Sequence, residues 1–522
     1  MKLTLFKGFL LLSFYFQITA SYAQQAQNRD TVTYSLGVFQ TLTQKDYLPH
    51  YIASNRFGVF DLQDNLSTLL RANAFSKFHF FQKGTLSIGI DMFSKTSFQK
   101  PVSSSVFLQQ AYTGFQYDFL KLTIGKKERT VGTHAEDLSS GSLAISQNAP
   151  PLPLILLEVP EYTNVPFTKG FVQFKGTFAH GWFDDERFID TPFLHEKTFY
   201  LRFGGKNKFN IYTGLVHFVV WGGEHPAEGK IPASFKDYLR VIAAKSAEGV
   251  PTSNNTIVGE QLNALGDNLG IYDIGTSLSL PSLDLEVYYQ VPYEDWSGIR
   301  IWKNKDRLLG LTIKNKTKSI YISKLNYEYI NTLYQSGPGL TDARSNDFDN
   351  FGYSYGGRDN YYNNYLYRTG WTYKGHIIGT PLFFTNERAQ TYIDNFSDPD
   401  KGKFDFNIVN NRIVAHHIGL KGRVIPQLEY KLLMTTTLNY GTYGGLNGGI
   451  QEWGSRTNPN LTYEFAPPLR QHYMLLEALF KLNNNLNASI IYAMDTGELS
   501  KNIGIMLGIK WSGDTLINLD KP

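Results

Sequence analysis

The sequence predicts an all-β protein, a transmembrane antiparallel β-barrel of about eighteen strands with long outer loops. Three observations carry that prediction. The chain opens on an export signal, its segments alternate apolar and polar residues over roughly nine to twelve positions, and aromatic side chains sit at the ends of those segments.

The export signal comes first. Lys2 and Lys7 precede an apolar run from Phe9 to Ile18, and Ser21 and Ala23 supply small residues before an expected cut after Ala23. Residues 1–23 therefore read as a signal peptide, since the apolar run is too short for an anchor helix. Beyond Ala23 no run approaches the roughly 18 apolar residues of a spanning helix; "PLPLILLEVP" and "LVHFVVW" are short and interrupted. The chain has no Cys, so neither a lipid anchor nor disulfides are expected. Losing Lys2 and Lys7 takes the formal net charge from +4 to +2, too small to imply nucleic acid as a partner.

Composition agrees with a sheet protein. Aromatics make up 15 % of the chain, with 33 Tyr and 37 Phe, and charged residues only 18 % against a usual ~25 %. The two-faced segments then recur along the chain. "TLSIGIDMF" sets Leu86, Ile88, Ile90 and Met92 against Thr85, Ser87, Gly89 and Asp91. "SLDLEVYYQV" sets Leu283, Leu285, Val287, Tyr289 and Val291 against Asp284, Glu286 and Gln290. "KNIGIMLGIKW" closes the series with Ile503, Ile505, Leu507, Ile509 and Trp511 on one face. A soluble sandwich would use strands of about 5–6 residues. These longer strands suit a tilted crossing of ~25–30 Å, with the greasy face toward lipid and the polar face toward a lumen.

Strands are expected near 66–81, 85–95, 105–117, 119–127, 169–182, 196–204, 208–220, 270–280, 284–292, 307–314, 319–333, 366–374, 377–384, 408–421, 428–440, 471–482, 486–494 and 502–511. From 208 onward, tight turns alternate with long loops at 221–269, 334–365, 385–407 and 441–470, the pattern of periplasmic turns and outer loops. The N-terminal third breaks that parity, because the loop 128–168 follows an even-numbered strand. Three readings restore it: 105–127 is one strand, a strand hides in 128–168, or "VTYSLGVFQT" at 32–41 joins the wall. The chain thus divides into the signal, an N-terminal segment 24–65 (first strand, or a lumen or periplasmic piece) and the barrel 66–522. Within the first long loop, 233–249 reads as a helix, with Ser234 as N-cap, Phe235, Tyr238, Leu239 and Ile242 at helical spacing and Gly249 as a stop. It is expected over the barrel mouth, or alternatively inside the lumen.

No phosphate-cradling loop, zinc site or serine nucleophile turn is present in the sequence. His416 and His417 fall on opposite faces of a strand, the acids near His134 (Glu136, Asp137) read as solvated, and Asp342, Asp347, Asp349 and Asp359 lack calcium-loop spacing. No enzyme, metal or cofactor is expected. The loops carry a better signal. Tyr353, Tyr355, Tyr361, Tyr362 and Tyr365 crowd around Arg358 among Asn, Asp and Gly, while Trp296, Arg300 and Trp302 share one loop and Trp221 neighbours Glu224 and His225. Sugar rings stack on aromatic planes, their hydroxyls pair with Asn and Asp, and Arg meets uronic-acid carboxylates bidentately. The same composition also fits Tyr residues packed on one another.

Four stretches in order carry a family resemblance: "LPHYIASNRFGVFD" (48–61), "LSSGSLAISQNAPPLP" (138–153), "LHEKTFYLRFG" (194–204) and "GGRDNYYNNYLYRTGWTYKGHIIGTPLF" (356–383). The last contains Asn360-Tyr361, Gly370-Trp371 and Gly379-Thr380-Pro381. Together they resemble the capsule assembly (Wzi) family of outer-membrane proteins. The resemblance implies an eighteen-stranded barrel in the outer membrane of a Gram-negative-type cell. It also implies a lectin without cofactor that holds capsular polysaccharide at the surface; the partners expected of the chain, taken as a monomer, are capsular or exopolysaccharide and outer-membrane lipid. The competing reading is a channel for saccharide passage or polysaccharide export, suggested by Asp284, Glu286 and Lys431 on the lumen face.

Overall fold

The computed structural model describes residues 30–80, 83–99, 101–246, 264–294, 301, 304–317, 321–336, 359–393, 406–442 and 467–517. These residues build an eighteen-stranded sheet in which every strand pairs antiparallel with its sequence neighbour, and the first strand pairs with the last. Asp30 faces Ile517 and Thr43 faces Gly504 across that closing seam, so the sheet has no edge.

The wall strands are β1 (Asp30–Thr43), β2 (Leu66–Phe80), β3 (Gly84–Ser97), β4 (Ser103–Tyr117), β5 (Leu120–Lys126) and β6 (Pro153–Asn164). They continue with β7 (Val172–Trp182), β8 (Phe193–Phe203), β9 (Phe209–Trp221), β10 (Asp267–Ser279), β11 (Leu283–Tyr293) and β12 (Arg307–Asn315). The last six are β13 (Lys324–Asn331), β14 (Ile413–Ile425), β15 (Leu428–Asn439), β16 (Leu469–Lys481), β17 (Leu486–Gly497) and β18 (Asn502–Ile517). Alternation fixes their faces. On β18, Leu507 is 50 % and Ile509 56 % exposed on the outside, whereas inward Met506 is 3 % exposed. The same outward belt runs through Ile88 and Ile90 on β3, Leu309 and Leu311 on β12 and Ile490 on β17.

Two of the sequence readings for the N-terminal third hold together. Residues 30–43 join the wall, and a strand at 153–164 lies inside the loop 128–168, while β4 and β5 stay separate around a turn at Asp118. Two expected strands, 366–374 and 377–384, are not in the wall. That stretch buries Trp371, Tyr373, Ile378, Leu382 and Phe383 regardless of parity, so it needs an apolar surround on all sides. It finds one inside the barrel, folded around a two-residue hairpin of Thr372–Tyr373 with His376–Ile377. The gains and losses cancel, leaving the wall at eighteen.

The connections at one end are short. Those at the other include 44–65, 127–152, 222–266 and 332–412, which assigns that end to the cell exterior. Three of these segments turn inward. Residues 44–65 enter with the short helix α1 (His50–Ala53), residues 128–152 follow, and residues 359–393 with 406–412 complete a plug. Leu48, Tyr51 and Ile52 pack there with Leu138, Leu143, Tyr362 and Trp371, against the inward side chains Phe218, Tyr288 and Tyr473 of the wall. The helix α2 (Phe235–Ile242) is elsewhere. Its Ser234 cap and Asp237 form a reciprocal capping box, but it lies neither over the mouth nor in the lumen. It rests on the outer wall, because its contacts Trp221, Val219, His195 and His180 share the outward face with Phe178 and Phe199.

Candidate functional site

The plug is held by carboxylates that the wall turns inward. Asp273 on β10 accepts from the Thr133 backbone N–H at 2.6 Å, and Asp495 on β17 accepts from that of His50 at 2.9 Å. Glu328 on β13 accepts from the Ser140 N–H (2.8 Å), the Ser140 hydroxyl (2.5 Å) and the Ser139 hydroxyl (2.6 Å). Glu196 on β8 takes Arg129 bidentately at 2.8 and 2.5 Å. His417 on β14 donates from Nε2 to the Leu138 carbonyl at 2.6 Å, which leaves its Nδ1 to accept from Tyr51 at 3.0 Å. Beside it, Gly419 carries no Cβ because one would collide with the Leu138 carbonyl. A buried ion needs its partners, so these contacts tie the loops, through backbone and side chains alike, to the wall. Loop and wall residues thereby share one buried cluster inside the barrel. Below it the inward face is charged and paired, as in Lys121–Glu158 (2.7 Å) and Lys431–Glu477 (2.6 Å).

Where the plug meets the extracellular rim, a polar crevice of about 350 Å³ opens between residues 61–64 and the upper ends of β3 and β4. Asp61, Gln63, Asp64, Lys95, Gln99 and Ser103 are among its lining. Lys95 bridges Asp64 (2.8 Å) and Asp61, and Asp61 also faces His376 Nε2 at 3.5 Å. Burial pushes the Asp61 carboxyl up, but hydrogen bonds from His376 and Lys95 outweigh it and hold the group well below the usual carboxylate range. Asp64 is buried more fully, and burial raises it despite Lys95. A second crevice of about 150 Å³ shares Asp61 and Gln63 and continues past His376 to Lys374, Glu387 and Arg388. Together they form a run of amide, carboxylate and cationic side chains in a groove open to the exterior. That is a donor and acceptor set suited to a polyhydroxylated ligand.

The sequence singled out other residues. Trp221 is 3 % exposed, on the outer wall beneath α2 and stacked on Tyr238 at 5.3 Å. Tyr361 and Tyr362, 1 % and 3 % exposed, lie inside the plug. The Tyr361 hydroxyl donates to Asp306 at 2.9 Å, and that of Tyr362 donates to the Leu143 carbonyl at 2.6 Å. Tyr365 packs half-buried against the same core. A ring enclosed on both faces offers neither to a sugar, so for Trp221, Tyr361 and Tyr362 packing is the observed role. Trp296, Arg300, Trp302, Tyr353, Tyr355 and Arg358 lie outside the described residues. His416 points outward beside Tyr327 and His417 inward, and Asp137 is engaged by Lys324 and Lys421 at 2.6 Å each. Among the described residues no three His, Asp or Glu side chains converge on a metal position.

Sequence reasoning missed the crevice. Asp61, Lys95 and His376 belong to three distant segments, and only the unusual concentration of polar residues in "FDLQDN" (60–65) marked one of them.

A model of the family described as capsule assembly protein Wzi matches residues 6–462. No curated protein matches the sequence significantly. Among solved structures, the chain is similar to Wzi of Escherichia coli, an outer-membrane protein involved in group 1 capsule assembly and a carbohydrate-binding β-barrel. The TM-score is 0.52 at 12 % identity, covering 91 % of this chain and 83 % of that one. OccAB4 of Acinetobacter baumannii matches at TM-score 0.44 and 11 % identity, covering 94 % of this chain and 99 % of that one. OprD of Pseudomonas aeruginosa matches at TM-score 0.43 and 8 % identity, covering 94 % of each chain.

Proposed function

The chain belongs to the capsule assembly protein Wzi family, and from that premise we propose that it is a surface lectin of the outer membrane. It binds capsular or exopolysaccharide at its extracellular face and holds it there, as a monomer and without catalysis. The observation that carries this reading is the pairing of a packed plug with a polar groove on its outward side. A chain that threads a barrel needs an open path, whereas a chain that is held needs a rim with donors and acceptors.

In this reading the groove through Gln63, Lys95, Gln99 and Lys374 takes hydroxyls and carboxylates of the glycan. Trp296, Arg300, Trp302, Tyr353, Tyr355 and Arg358 are the sequence's further candidates for stacking faces and guanidinium forks. Buried Tyr361 and Tyr362, with half-buried Tyr365, shape the plug. Purified protein tested on an array of acidic and neutral polysaccharides checks the proposal. Retention that drops about tenfold in a Gln63→Ala, Gln99→Ala, Trp296→Ala triple variant, near 1.4 kcal/mol, supports it. Undiminished retention removes the site assignment.

A further inference from the structure

The outward faces of β7 to β10 are greasy in their middle and then carry a polar band below the aromatic residues Trp182, Phe193 and Trp221 at the extracellular end. Phe178, Phe199 and Leu215 belong to the exposed belt, yet directly above them the same face carries His180, His195, Lys197, His217 and Asn268. Side chains of that kind on a lipid-facing wall are unfavourable unless covered and hydrogen-bonded.

Helix α2 covers them. Tyr238 lies flat on Trp221, with 17° between the rings, and meets His180 and His195 edge-on at 5.4 and 5.5 Å. Val241 closes over Val219 and Leu265. Lys197 donates to the Ile242 carbonyl at the helix C-terminus, the end where a cation is favourable, and His217 pairs through Nε2 with Asn268 Oδ1 at 3.0 Å. One stripe of the helix is thus spent on the wall. The adjoining stripe carries Phe235, 76 % exposed, and Leu239, 51 % exposed, one turn apart, flanked by Lys236 and Arg240.

We propose that α2 is an interfacial helix embedded in the outer leaflet, with Phe235 and Leu239 among the acyl chains and its cationic flank at the anionic headgroups. The helix rides on the outward face that also carries exposed Phe178, Trp182 and Phe199 of the barrel's lipid-facing belt, which makes lipid the occupant. The helix replaces a polar stretch of wall by an apolar one and widens the barrel's grip on the leaflet from which its outer loops rise.

The absence of cysteine from the sequence makes the test clean. Single-cysteine variants Phe235→Cys and Leu239→Cys, with Leu215→Cys for the belt and Ala227→Cys for the exposed hairpin, carry a nitroxide label on the full chain in phosphatidylethanolamine–phosphatidylglycerol vesicles. The ratio of oxygen to nickel-chelate collision rates reports depth. The labels at 235 and 239 are expected within about twofold of the Leu215 value and at least about fivefold above that at Ala227. Values matching Ala227 place the helix in water and overturn the proposal. Labels shielded from both agents mean that a second protein copy covers the helix, which overturns it equally. A belt-like reading at Leu215 in the same preparation shows that the barrel is inserted whichever result is obtained.

Discussion

Ser140, in the middle of the plug, gives both its backbone N–H and its hydroxyl to one oxygen of Glu328, a carboxylate buried in the barrel wall. That double contact defines how this barrel is closed. The wall supplies ions, and the loops supply the donors that make those ions tolerable inside it.

Glu328→Gln should therefore loosen the plug without moving the wall. The amide keeps the size but turns one acceptor into a donor facing the Ser140 N–H and hydroxyls, at a cost of about 2 kcal/mol. Urea unfolding of the refolded protein in micelles measures it. A loss below a few tenths of a kcal/mol contradicts the tether.

Gly419→Val places a branched side chain against the Leu138 carbonyl. Overpacking of that kind costs about 1–3 kcal/mol, and the plug segment 135–140 should show faster amide exchange. Unchanged exchange there speaks against the close approach.

The orientation of the belt was legible in the sequence because strict alternation leaves one choice of face once export and strand length are known. Ile503 to Trp511 show it plainly. The strand β6 was hidden because "LPLILLEVP" is apolar on both faces at its start and contains Pro160. The false strands at 366–384 arose from the same ambiguity in reverse, since a buried loop and a buried strand are equally greasy. The helix α2 was legible from Ser234 and its periodicity, but periodicity cannot say which surface a stripe covers. The crevice had no local signature beyond the polar run at 60–65, because three segments far apart in sequence meet there only after the barrel closes.

Leu507→Arg on the outer face of β18 and Met506→Arg beside it test that orientation in opposite ways. The first puts a charge in the hydrocarbon and should cost about 2–4 kcal/mol of stability in a bilayer, and far less in detergent. The second overfills the plugged interior and should cost as much in either medium. Equal bilayer sensitivity of both variants contradicts the assignment of faces.

The crevice should keep its charge pattern over the neutral range. Lys95 bridges Asp64 at 2.8 Å and Asp61, which ties the two loop carboxylates to the end of β3. Asp61 is depressed, so its contribution is present above the ordinary carboxylate range and fades only in strong acid. Asp64 is raised and takes up a proton first as pH falls. Polysaccharide retention should be flat between about pH 6 and 9 and weaken below that range. A maximum near pH 5 contradicts the pattern.

The most direct measurement places the purified barrel in lipid nanodiscs against capsular polysaccharide extracted from its own host, read by surface plasmon resonance, with planar-bilayer current recorded on the same preparation. The account predicts saturable binding that falls with the Gln63, Gln99 and Trp296 substitutions, and an electrically silent barrel. A large steady current without binding would contradict it.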